Sequence, residues 1–181
     1  MLFKTRNKMN KIVFIIMIFM TLFSKAFSQE PLPVVKEVDL KKYSGTWFEI
    51  ARLPNRFEKG LKCITATYTL RDDGKITVLN RGHRINDPSK VSSIRGVAFI
   101  PDSNSPAKLK VQFFWPFSGD YWIIELDRDY RYVLVGNPSR KYLWILAGDK
   151  NPGEDIIRML LEKAAGYGFD TKSVIRAEHD C

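Results

Sequence analysis

The amino-acid sequence predicts an all-β protein: an eight-stranded antiparallel up-and-down β-barrel with one C-terminal α-helix packed outside it. Three observations carry this expectation. Short runs rich in β-branched and aromatic residues recur between turn signals. Within several of these runs apolar and polar residues alternate with period two. Over 154–166 the period changes to that of a helix, with Ile156, Ile157, Leu160, Leu161 and Ala164 at helical spacing.

The strand-like runs are 46–54, 63–70, 75–84, 91–100, 107–114, 120–127, 131–136 and 141–147. Asp73-Gly74 is a hairpin turn signal. Asn86-Asp87-Pro88-Ser89, Pro101-Asp102-Ser103-Asn104 and Asn137-Pro138-Ser139 are loop clusters. Ile64, Ala66, Tyr68 and Leu70 share one face of their strand, and Thr65, Thr67 and Thr69 the other. In 120–127 and 141–147 both faces are apolar, as a wall between an interior and a helix requires. Glu154 and Asp155 start the helix where its dipole favours acids, and Gly166 and Gly168 end it. A last run, 173–176, fits a ninth strand. The short connections favour a barrel over an open sandwich, whose Greek-key crossings need longer ones. A barrel of this strand number can hold one small ligand.

Residues 1–28 read as a secretory signal peptide, leaving 29–181 as a single domain. Lys4, Arg6, Lys8 and Lys11 precede an apolar run, Ile12 to Phe23, about half as long as a membrane-crossing helix. Ala26-Phe27-Ser28 places cleavage before Gln29. Gln29 is not the Cys that a bacterial lipid anchor uses, so the expected location is the periplasm or cell envelope, or outside the cell, without an anchor. The formal charge is +9, but the leader carries five of the cations and no acid, leaving +4. That is too mild to suggest nucleic acid. Export and an even count permit a bridge between Cys63 and Cys181. A free reactive thiol at Cys63 is the competing reading.

With the runs in place, the chain resembles a known family. YSGTWFEIARLPNRFEKGL is similar to the first signature of the lipocalins, a Gly-any-Trp motif entering the first strand. TATYTLRDDGKITVLNRG, KLKVQFFWPFSGDYWIIELDRDYRYVLVG and YLWILA resemble, in order and spacing, the bacterial outer-membrane and apolipoprotein D-like branch. The resemblance covers about 38–181. It implies a barrel closed at one end that holds a lipid, with a fatty acid or lysophospholipid as the expected ligand. It also supports the Cys63–Cys181 bridge. In one departure, Asp127-Arg128-Asp129-Tyr130 stands where the family has an Asp followed at once by Tyr. In another, Gly148 replaces an Arg that stacks on the motif Trp, leaving Lys150 or no donor at all to take its place.

Carrying cavity positions over by resemblance points to Tyr68, Asn80, Phe113, Tyr121 and Trp144, and strand alternation adds Ala66, Leu109, Val111, Leu134 and Leu146. The same residues would also fill a packed core. At the floor, Gly45 is expected to let the backbone pass close to the strand ends, and Trp47 to plug the barrel. Alternation places Glu49 and Ala51 on the face of Trp47, where a buried Glu would need a partner or a raised pKa. Arg56, Lys59, Lys62, Lys90, Arg140 and Lys141 are expected at the open mouth, diluted by Glu58 and Asp87. Asp72, Asp73, Asp102, Asp127 and Asp129 are expected at the floor. Trp115, Pro116 and Phe117 at the mouth suit an anionic membrane surface, and Arg84 is the expected headgroup partner.

No catalytic set, cofactor loop or metal cluster emerges, so the chain is read as a binding protein without a cofactor. The alternatives are an isomerase using Cys63, or a carrier of haem or a siderophore. His83, expected on an outer face, does not suit haem. Monomer and homodimer both remain open.

Overall fold

The computed structural model describes residues 30–181; the expected leader and its cleavage site lie outside them. Asp39 caps the first element. Its carboxylate accepts hydrogen bonds from the amides of Lys41 and Lys42, and α1 (Leu40–Tyr43) makes a single turn. Strands β1 (Gly45–Arg52), β2 (Leu61–Leu70), β3 (Ile76–Arg84) and β4 (Asp87–Phe99) follow, then β5 (Lys108–Phe114), β6 (Phe117–Leu126), β7 (Tyr132–Gly136) and β8 (Leu143–Ala147). Helix α2 (Glu154–Gly166), a 3-10 turn (Thr171–Ser173) and β9 (Ile175–Arg176) complete the chain.

Strands β2 to β8 pair in chain order, each antiparallel to the next, and β1 closes the ring by pairing with both β8 and β2. Closure removes the open edges that an eight-stranded sheet would otherwise expose. The expected architecture is therefore present, but two hairpins run further than the alternation indicates. β4 starts at Asp87 rather than 91, and β6 at Phe117 rather than 120. Of the two neighbours of β4, β5 pairs only with Val97–Phe99, while β3 pairs along the whole length. Beyond the barrel wall neither face of the hairpin is buried, so no period-two pattern marks it as strand.

A bulge in β1 changes which side chains enter the barrel. Glu49 pairs with Leu146 and Ala51 with Ile145, so Ile50 is an extra residue. Past it the alternation inverts. Ala51 joins the outer core, correcting the expectation that it faces inward, and Arg52, opposite Trp144, turns in.

The barrel wall separates two cores. The inner one contains Tyr43, Trp47, Ala66, Tyr68, Ile76, Val78, Ala98, Leu109, Val133, Val135 and Leu146. The outer one packs Ile157, Leu160 and Ala164 of α2 against Ile124, Leu134, Leu143 and Ile145. Leu134, expected to line the cavity, lies in this outer core; its neighbours Val133 and Val135 belong to the inner one. Both faces of β7 are apolar, so composition does not reveal the parity there.

The C-terminal tail fills the gap where β1 and β2 diverge. β9 pairs with Ala51 and Arg52. The Ala177 amide donates to the Ile50 carbonyl, and the Cys63 amide to the Glu178 carbonyl. Cys63 and Cys181 are joined by the disulfide. Among the described residues no helix is long and apolar enough to cross a membrane.

Candidate functional site

The closed end is built around Trp47. Its indole N–H donates to the Tyr43 carbonyl at 2.9 Å, and its ring stacks on Tyr43 at 5.1 Å. Gly45, two residues earlier, has φ 129°, a conformation that side chains rarely adopt. A Cβ there would meet nothing within 4 Å, so the expected close approach is corrected: the turn into β1, not crowding, requires the glycine. The ammonium of Lys150 lies over Phe48 rather than Trp47, and the Gly148 amide bonds to the Arg131 carbonyl. The ring that packs against Trp47 is that of Tyr43 on α1.

Inside the floor the Tyr121 hydroxyl lies 2.8 Å from that of Tyr43 and 2.7 Å from that of Tyr68. Burial raises the pKa of all three phenols above their ordinary value, so they act as neutral hydrogen-bonding groups. Nearer the mouth, exposure increases. Ala66, Tyr68, Leu109 and Leu146 are buried, while Val111, Phe113 and Trp144 pack on the same core and remain partly exposed. Asn80, opposite Ala66, carries a buried Oδ1 with no hydrogen-bond partner. An apolar cup with a few inward polar atoms can hold a lipid chain.

One polar group within the cup is not visible in the sequence pattern. Among the described residues Glu49 and Arg52 are the buried charged ones, 2% and 7% exposed. Arg52 Nη1 donates to Glu49 Oε1 at 2.6 Å, and Arg52 Nε lies 3.4 Å from Glu58 Oε2. Glu58 reaches in from the β1–β2 loop, which corrects its expected place among the rim charges. The Trp144 indole donates to its carboxylate at 3.2 Å, and the Asn55 amide also bonds to it. Two acids share one guanidinium, so ionising both would leave an unbalanced negative charge. Burial, reinforced by the Glu58 charge and opposed by Arg52, pushes the Glu49 pKa up to about 8. The sequence signal was an acid, an Arg three residues on and a second acid six further; only the bulge brings them together.

This shift has a testable sign. The folded pKa of Glu49 lies above its ordinary value of 4.5. Its contribution to stability is therefore fully present below about pH 4.5 and is lost as the pH rises toward 8. Unfolding free energies measured from pH 5 to 8.5 should fall by on the order of a few kcal/mol more in the natural protein than in Glu49→Gln. Parallel profiles would place the proton elsewhere.

The mouth is apolar and basic. Trp115 and Phe117 are 85% and 77% exposed, with Phe57, Ile85, Val91 and Phe114 also uncovered. Arg56, Lys59, Arg84, Lys90 and Lys141 are exposed on the same group of loops and hairpins. Two expected rim cations are engaged elsewhere. Arg140 donates to the carbonyls of Pro138 and Tyr167, and Lys62 pairs with Asp180 of the tail at 2.8 Å. Cys63 has no free thiol because it is bonded to Cys181, which removes the group an isomerase would need. His83 bonds to the Pro88 carbonyl and His179 to that of Glu49.

Comparison with known proteins agrees with this architecture. The family model described as a lipocalin-like domain matches residues 38–179. The outer membrane lipoprotein Blc of Citrobacter freundii is 45% identical over 142 residues, covering 78% of this chain and 80% of its own. Apolipoprotein D of Macaca fascicularis is 36% identical over 149 residues, covering 78% and 77%. Insecticyanin from the tobacco hornworm Manduca sexta shares the fold with a TM-score of 0.66 at 22% identity, covering 84% and 86%. The bacterial relatives are named outer membrane lipoproteins, and this overturns the expectation of a protein without a lipid anchor. That expectation rested on the residue at a cleavage site placed outside the described residues. An exported, envelope location is consistent with the same relatives. The Gly-any-Trp start, the closed barrel with its outer helix and these matches together establish that the chain belongs to the lipocalin family.

Proposed function

We propose that the barrel binds and carries a single-chain amphiphile, a fatty acid or a lysophospholipid, in the cell envelope. Family membership makes the chain a binding protein for small hydrophobic ligands; the finer reading concerns which ligand and how it enters. The observation that supports it most is the gradient inside the barrel, from a sealed aromatic floor to an open mouth rimmed by aromatics and cations. A tail would lie against Ala66, Asn80, Val111, Phe113 and Leu146, with Tyr68, Leu109 and Tyr121 deeper. Trp115 and Phe117 would enter the interface of an anionic membrane, with Arg56, Lys59, Arg84 and Lys141 attracted to its phosphates.

Native mass spectrometry of the protein purified from its own envelope is the direct test. A bound single-chain lipid is expected; haem, a siderophore or a polar metabolite would overturn the reading. For the docking step, binding to vesicles of phosphatidylglycerol should weaken at least severalfold with Trp115→Ala and again when salt is raised, because exposed charges are screened. Binding insensitive to both would remove the membrane contact and leave the cavity reading standing.

A further inference from the structure

The Glu49–Arg52–Glu58 cluster is more polar than a tail-binding cavity needs, and its three members do not have equal standing. Glu49 and Arg52 belong to the barrel wall, one residue either side of the bulge and its successor. Glu58 belongs to the loop between β1 and β2; its carboxylate reaches Arg52 and Trp144, and its carbonyl accepts from Arg52 Nη2 at 3.5 Å. The tip of that loop faces out: Phe57 is 63% exposed, and Arg56 and Lys59 are uncovered, while half-buried Asn55 bonds to the Glu58 carboxylate. The loop is bounded by Pro54 and by Gly60 at φ 77°.

Two wall donors converge on the Glu58 carboxylate. The Trp144 indole N–H reaches both oxygens at 3.2 Å, and Arg52 Nε faces Oε2 at 3.4 Å without forming a hydrogen bond. A buried guanidinium N–H left without an acceptor is costly. The wall thus presents Arg52 and Trp144 as an anion seat in the mouth half of the cavity, with the apolar inner core beneath it. From Arg52 down β1 to Trp47 is roughly 13 Å at strand rise, allowing for the bulge.

We propose that Glu58 is a built-in stand-in for the head of the ligand, and that a single-chain amphiphile with an anionic head binds by replacing it on Arg52 and Trp144. This rests on the lipid-carrier reading above and moves the head from the rim cations to a site inside the barrel. Charge forces the exchange. With Glu49 holding its proton, Glu58 and a second anion around one guanidinium would leave excess negative charge in a poorly solvated place. The ligand head and the Glu58 carboxylate therefore exclude each other, and the loop from 55 to 60 swings outward as the head seats, while Leu53 stays anchored in the outer core. A carboxylate and a phosphate share the required chemistry.

The test uses the full exported protein and three probes: a fluorescent polyene fatty acid, the matching fatty alcohol and a single-chain phosphate lipid. Glu58→Gln should tighten the fatty acid about tenfold while the alcohol changes less than about twofold, since removing the competing charge helps only an anion. Arg52→Gln should abolish the preference for acid over alcohol. In the natural protein, the acid but not the alcohol should speed amide hydrogen exchange across 55–60. The phosphate probe, run in parallel, tells which anionic head the seat prefers. An acid-to-alcohol ratio unchanged in Glu58→Gln, with equal loop exchange for both probes, would overturn the stand-in role and leave the carrier reading intact. If none of the probes binds, both readings fail. Because Arg52→Gln alters a buried pair and can unfold the protein, the Glu58→Gln result and the exchange data decide the matter alone.

Discussion

Trp47→Ala is expected to lower the unfolding free energy by about 3–5 kcal/mol, the largest loss from any single side chain in the floor. Three losses act together. The indole is 4% exposed, so its removal leaves a cavity between α1 and the strands. The Tyr43 carbonyl loses its 2.9 Å donor in a buried place. The ring stack that holds Tyr43, and through it the hydroxyl contact to Tyr121, is lost. Urea denaturation should show the effect as a lower midpoint, with Trp115→Ala as the exposed control shifting stability by less than about 0.5 kcal/mol. Trp47→Phe separates the contributions, because it keeps the ring and loses the hydrogen bond, and about 1–2 kcal/mol is expected. Equal stability of Trp47→Ala and the natural protein would show that α1 closes the barrel unaided.

Cys181→Ser should cost up to about 4 kcal/mol, because the bridge spans 118 positions and restricts the unfolded chain strongly. Its effect on the folded state is local. The tail bonds to Ile50 and Cys63 and fills the gap between β1 and β2, so without the bridge it can peel away before the barrel opens. Hydrogen exchange should therefore rise first at the amides of Cys63 and Ala177, and only later in β5 to β7. Reduction of the natural protein should reproduce both effects. If the variant unfolds at the same urea concentration as the natural protein, the bridge adds nothing beyond the tail's hydrogen bonds.

The tail also bears on the ligand seat. β9 pairs with Ala51 and Arg52, and His179 bonds to the Glu49 carbonyl at 2.7 Å. The backbone that carries the buried acid and the buried guanidinium is thus held from outside by the segment the disulfide pins. Loosening the tail should disturb the polar cluster before the floor, where Trp47 and Tyr43 make their contacts with β1, β2 and α1.

Much of the fold was legible because it depends on local chemistry. Alternation, turn residues and one change of period are properties of neighbouring residues, and they marked eight strands and α2 to within a few positions. The Gly-any-Trp motif located the floor, although the reason for its glycine proved to be a backbone angle. Inner residues such as Leu109 and Val111 were legible where one face of a strand is plainly apolar, and Trp144 only through the family resemblance. The parity of Leu134 was not, since both faces of β7 are buried. The extended β3–β4 and β5–β6 hairpins were missed because strands that leave the wall carry no burial pattern.

By itself the sequence determined the barrel, its outer helix, its family and the compatible cysteines, because each follows from periodicity or from residues recognisable in order. Only the tertiary structure decided what faces the ligand. One extra residue at Ile50 inverts the side-chain alternation of β1, and a loop folds back so that Glu58 meets Arg52 six positions earlier. A bulge leaves no trace in hydrophobic pattern, and a loop's direction depends on packing from distant strands. The polar seat inside the apolar cup therefore exists only once the chain has closed on itself.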